Sequence, residues 1–187
     1  MAQDARIAVM LAPGYEEGEA LMVVDIMRRA GFECDAVGLL GREVTGGHGI
    51  TALADKVFEG SLAGYDLVVL PGGYDGSAAM RDHDGFLSAL RDHVAAGGRY
   101  AAICAAPIAL DRAGLLDGKR FTCYPTTAAK IKADAKWVDE IVVTDDNLMT
   151  SQGPGTTSHF AYALVDWLGG DAEKLREGML YNKVLSA

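Results

Sequence analysis

The feature that most constrains this chain is a repeated unit: a short, almost wholly apolar run, closed by a turn signal and followed by residues at helical spacing. Residues 6–12 read RIAVMLA before Pro13-Gly14, residues 66–70 read DLVVL before Pro71-Gly72-Gly73, and residues 99–104 read RYAAIC before a helix expected from about 107 to 113. Strands without polar alternation need cover on both faces, so helices must lie above and below a mostly parallel sheet. The expected fold is a three-layer α/β sandwich.

The remaining pattern fills in that sandwich. Apolar residues at helical spacing predict helices over 20–30, with Gly31 as C-terminal cap, over 84–96 before Gly97-Gly98, and over 157–168 after the turn Gly153-Pro154-Gly155. Further strands are expected over 33–40, 121–124, 140–144 and 148–151, and the glycine-rich stretch 42–55 reads as a hairpin or excursion. A chain of 187 residues without repeat or linker reads as a single domain, 1–187.

A formal charge of −9 supplies no basic footprint, so nucleic acid and anionic membrane are not expected as main partners; small molecules and proteins are. The first four residues carry no basic cluster, and the apolar run 6–12 is too short for a signal or a membrane span, so a cytoplasmic location is expected. In that reducing compartment the three cysteines, Cys34, Cys104 and Cys123, are no disulfide framework, and without a CxxC no metal or other cofactor is expected.

In sheets of this kind functional groups gather beyond the carboxyl ends of the strands. Cys104 sits at such an end, in Ala102-Ile103-Cys104-Ala105-Ala106. A nucleophile elbow needs small residues two positions before and after the nucleophile, and Ala102 and Ala106 meet that need. The following helix would favour thiolate by its dipole, and backbone N–H groups at the turn could stabilise an oxyanion. The same pattern also suits a small buried cysteine that merely closes a strand. Gly72-Gly73 would bring N–H donors across the crevice from Cys104, or simply end a strand. Glu16, Glu17 and Glu19 suit the first turn of a solvated helix; one turned inward would instead have a raised pKa and serve as acid or base.

The strings GYEEGE, VVLPGG, AAICAAP and TSQGPGT, in this order and spacing, resemble the ThiJ/PfpI superfamily over about residues 6–169. The resemblance implies a flavodoxin-like sandwich, related to class I glutamine amidotransferases, and a homodimer. It implies Cys104 as nucleophile, Glu19 as the glutamate hydrogen-bonded to it, and Gly72, Gly73 and Ala105 as backbone donors. Gln152, Gly153 and Pro154 would border the cleft, and His48 falls near a position from which the family's dimer partner reaches toward the site. Many members carry a histidine where this chain has Tyr124, which is a poor proton shuttle near neutral pH. A Cys-His dyad for peptide hydrolysis would lack its base.

The substrate class implied is that of reactive α-oxoaldehydes such as methylglyoxal, or their adducts on proteins, handled without cofactor as in a glyoxalase or deglycase. A non-enzymatic redox sensor or chaperone using an oxidisable Cys104 is the alternative, and hydrolysis or hydration of another electrophile the third. A link to thiamine synthesis finds no phosphate-binding loop or metal motif here.

Overall fold

The apolar runs lie at the centre of the molecule, whose computed structural model describes residues 4–186. In β1 (Arg6–Leu11) the side chains of Ile7, Val9 and Leu11 join one core, and Ala8 and Met10 join another on the opposite face, all fully buried. This two-sided burial is what an uninterrupted apolar strand demands.

After β1 come α1 (Glu17–Arg29), β2 (Glu33–Gly38), the short strands β3 (Glu43–Thr45), β4 (Thr51–Leu53) and β5 (Lys56–Val57), then β6 (Leu67–Leu70), α2 (Tyr74–Arg81), α3 (Asp84–Ala95), β7 (Arg99–Ile103) and α4 (Pro107–Arg112). The remainder adds β8 (Arg120–Phe121), α5 (Pro125–Ala128), β9 (Lys136–Trp137), β10 (Val142–Asp145), β11 (Leu148–Ser151), a 3-10 turn (Pro154–Thr156), α6 (Thr157–Trp167), α7 (Ala172–Gly178) and α8 (Tyr181–Leu185).

Seven strands form the main sheet in the order β10-β11-β7-β6-β1-β2-β5, all parallel except the edge strand β10. Helices α1 and α6 pack on one face; α2, α3 and α4 cover the other. From β1 the chain moves outward to β2 and then returns to the opposite side as β6, so strand order reverses between β1 and β6. The expected three-layer, mostly parallel sandwich is present.

Three local expectations are corrected, and one helix beside the site was not expected. Helix α1 begins at Glu17 rather than residue 20, because the Glu16 carboxylate caps it by accepting from the Glu19 N–H at 2.6 Å. The helix α2 had no counterpart in the sequence reading. The strand expected over 121–124 stops at Phe121: Thr122 N–H donates to the Thr150 hydroxyl and Tyr124 N–H to the Cys104 carbonyl, so neither joins a ladder. Its stub β8 pairs with β9 in a separate two-stranded sheet. The strand expected from 140 begins at Val142.

Candidate active site

Three chain segments leave the sheet side by side at the strand-order reversal. Glu19 follows β1, Gly72 and Gly73 follow β6, and Cys104 follows β7. Open parallel sheets place ligands in the crevice at this point.

Cys104 has φ 62°, a left-handed conformation that a non-glycine residue holds at a cost of roughly 1–2 kcal/mol. The surroundings determine it. Its N–H donates to the Ser151 carbonyl at 3.1 Å, its carbonyl accepts from Tyr124 N–H at 3.0 Å, and Ala106 N–H closes the turn onto Ile103. The thiol is half-buried, whereas Cys34 and Cys123 are buried.

Glu19 has no solvent exposure. Its Oε2 accepts the Gly72 N–H at 2.7 Å, and its Oε1 has no hydrogen-bond partner. Burial pushes the carboxyl up to about 7 against the relief given by the Gly72 and Cys104 hydrogen bonds. The Cys104 thiol is pushed up to about 12, first by burial and then by the charge and hydrogen bond of Glu19, while N–H groups of Gly73 and Ala105 oppose the rise. The expected lowering of the thiol is therefore corrected: burial and Glu19 raise it. Two of the causes that raise the thiol disappear when Glu19 is protonated, so the pair favours carrying at most one negative charge. Oε1, the oxygen without a partner, is free to carry a proton.

The glycines are dictated by proximity. A Cβ on Gly72 would lie 2.6 Å from Glu19 Oε2 and 3.1 Å from Cys104 Sγ, so any side chain there would wedge the pair apart. Gly73 has φ +82° and would collide with the Gly14 carbonyl. Gly72 and Gly73 thus divide the work expected of both: Gly72 donates to Glu19, and Gly73 with Ala105 faces the sulfur.

The other candidates are placed less centrally. Tyr124 is exposed, caps α5 and is joined to Cys104 through its backbone; its ring lies against Gly153. Gln152 turns its amide outward to Asp139 at 2.7 Å. Gly153 and Pro154 lead into the 3-10 turn and continue directly from Ser151, the residue bonded to Cys104.

His48 pairs with Glu17 rather than with Cys104. Its Nδ1 lies 2.9 Å from Glu17 Oε2, and Glu17 Oε1 accepts the His48 and Ile50 N–H groups at 2.8 and 3.3 Å. These bonds hold the Glu17 carboxyl down at about 2 against the opposing effect of burial, and they raise the His48 ring. Glu17, expected to be solvated, is buried and latches the loop between β3 and β4. Potential metal donors of Glu16, Glu17 and His48 lie within 4.8 Å of one another. The carboxylate atoms are already engaged, in the helix cap and in the latch.

The sequence reading missed Tyr74, exposed one residue beyond Gly73, and the neighbouring Thr126 and Lys130. A helix-starting glycine followed by an aromatic and an acid was the available signal.

This arrangement defines a flavodoxin-like α/β protein whose strand-reversal crevice holds a cysteine elbow beside a buried carboxyl. The family model for DJ-1/PfpI matches residues 5–167, and the chain belongs to that family. It is 40% identical over 172 residues to Protein dj-1beta of Drosophila melanogaster, covering 90% of this chain and 91% of that one. The crystal structure of Drosophila melanogaster DJ-1beta superposes with a TM-score of 0.91 at 37% identity, over 95% of this chain and 98% of the other. The glutathione-independent glyoxalase DJR-1.2 of Caenorhabditis elegans is 30% identical over 173 residues, covering 91% and 92%. Among the described residues no helix is long and apolar enough to cross a membrane.

Proposed function

We propose that the protein is a cysteine-dependent, cofactor-free enzyme that converts α-oxoaldehydes such as methylglyoxal to 2-hydroxy acids. The observation that carries this reading is the buried Glu19 carboxyl, with an unpartnered oxygen, set against the Cys104 thiol. The similarity to a glutathione-independent glyoxalase supplies the substrate class.

Cys104 sulfur attacks the aldehyde carbon and its proton passes to the new alkoxide, giving a hemithioacetal. While the alkoxide develops, N–H groups of Gly73 and Ala105 stabilise it. Glu19 as carboxylate takes the hydrogen from the former aldehyde carbon, and the neighbouring carbonyl oxygen gains a proton, forming an enediol. Return of the Glu19 proton to the second carbon, while the hydroxyl on the first carbon gives back to solvent the proton that the neighbouring carbonyl oxygen had drawn from it, yields a 2-hydroxy thioester. Water hydrolyses it to the 2-hydroxy acid and frees the thiol. A carboxyl with a pKa near 7 is suited to both taking and returning a proton near neutral pH. Lactate formation from methylglyoxal tests the reading: loss in both Cys104→Ser and Glu19→Ala is expected, and retained activity in both rejects it.

A second reading is favoured by the exposure of Cys104 relative to the other thiols. Peroxide would oxidise it, and the same N–H donors would hold the resulting sulfinate. Intact mass after mild peroxide should place oxidation on Cys104; oxidation elsewhere alone removes this reading. We further propose a cytoplasmic homodimer whose interface would use the exposed Leu21 and Met22 of α1 with Ile50 of the latched loop and Leu53 of β4.

A further inference from the structure

Beside the crevice lies a groove of about 740 Å³ between α2, α4 and the segment after α5. It starts at Tyr74, the residue directly after the Gly73 donor. Tyr74 presents an exposed ring, and its hydroxyl lies 3.1 Å from that of Thr126. Lys130 Nζ stands 4.3 Å from the Tyr74 ring centroid.

The charges in this groove are unlike those of the chain as a whole. Four cations, Arg81, Arg112, Lys130 and Lys132, face three carboxylates, Asp75, Asp82 and Asp111. Asp82 is bound by Arg81, and the Asp111 carboxylate accepts the N–H groups of Lys132 and Ala133. Asp75 packs by its Cβ against the Gly14 turn. Among the described residues neither Lys130 nor Lys132 has a salt-bridge partner. On a chain of net charge −9, two unpaired ammonium groups beside the catalytic crevice form a local attraction for anions against a repelling background.

We propose that this groove is a subsite for an anionic group, carboxylate or phosphate, carried by the carbonyl substrate. Lys130 and Lys132 supply the countercharge, and the Tyr74 hydroxyl supplies the nearer hydrogen bond. The substrate class is then an oxoaldehyde bearing an anion beyond its reacting end, rather than methylglyoxal alone. This proposal rests on the reading of Cys104 as the carbonyl-attacking nucleophile.

Two arms test it. Turnover of 4-carboxyphenylglyoxal is compared with that of its neutral methyl ester, at low and high salt. A preference for the carboxylate on the order of fivefold in kcat/KM, the size an exposed ion pair supplies, is expected through KM. It should shrink with salt and vanish in Lys130→Gln/Lys132→Gln. Equal turnover by the wild type, or a preference that survives the double substitution, overturns the subsite. In the second arm inorganic phosphate is titrated into Cys104→Ser and followed by backbone NMR. Shifts centred on Tyr74, Lys130 and Lys132 that are lost in the Lys130→Gln background are expected. No shifts there, or shifts indifferent to Lys130, overturn the proposal. Failure of every oxoaldehyde to turn over would reject the enzymatic reading, and the phosphate arm would still decide the groove.

Discussion

The Gly72 N–H donates to Glu19 Oε2 at 2.7 Å, joining groups that lie 53 positions apart in the chain. That bond fixes one carboxyl oxygen and leaves the other, also buried, without a partner. The carboxyl's orientation therefore depends on a position that must have no side chain.

Gly72→Ala should separate the pair. The added Cβ would meet both Glu19 Oε2 and Cys104 Sγ closer than ordinary contact allows. Overpacking of this kind costs about 1–3 kcal/mol. Thermal denaturation should show that loss, with lactate formation abolished; wild-type activity in a stable Gly72→Ala protein would show that the contact has no bearing on catalysis.

Glu19 should make the protein less stable as pH rises. Its carboxyl is raised from 4.5 to about 7, so the folded state holds a proton that the unfolded chain releases across this interval. Stability contributed by that proton is fully present below pH 4.5 and lost as pH rises through about 7, a change on the order of 3 kcal/mol. Glu19→Gln should therefore be more stable than wild type at pH 8 and show a flatter profile between pH 4.5 and 7. Parallel profiles from denaturant unfolding would contradict the assignment.

Glu17 should act in the opposite sense. Its carboxylate is held at about 2, below the ordinary 4.5, so its contribution is present above pH 4.5 and lost as pH falls toward 2. Glu17→Gln should destabilise by about 1–3 kcal/mol at neutral pH, as expected for a buried hydrogen-bonded charge, and the difference should shrink in acid. A difference that grows in acid would mean that the latch does not depend on ionised Glu17.

If the exposed Leu21, Met22, Ile50 and Leu53 join two copies, Leu53→Glu should shift sedimentation from dimer to monomer. Leu53 is 66% exposed, so the substitution leaves the core intact. A wild-type monomer, or an unaltered Leu53→Glu dimer, would remove the assigned interface.

The layer order was legible because RIAVML and LVVL leave no polar face to turn outward. Cys104 was legible from the small residues around it and from its place at a strand end. The charge state was not: the helix dipole suggested a lowered thiol, whereas desolvation and Glu19 raise it, and burial depends on the assembled crevice. Glu19 was singled out only by the resemblance and Glu17 not at all, since acidic first turns look alike until the Gly72 turn and the β3–β4 loop meet them. The strand expected at 121–124 failed because side-chain and long-range backbone acceptors captured its donors, a competition that local propensity does not encode. Tyr74 and Lys130 come together only when α2 and the chain after α5 meet, so their pairing had no local signature.

The most direct test of the central claim is intact-mass analysis of Glu19→Gln with methylglyoxal, run beside a lactate assay of the same sample. Glutamine keeps the size of the side chain and an oxygen for the Gly72 N–H, but cannot carry the proton. The account predicts a methylglyoxal adduct accumulating on Cys104 with lactate formation lost. Wild-type lactate formation by Glu19→Gln would contradict it.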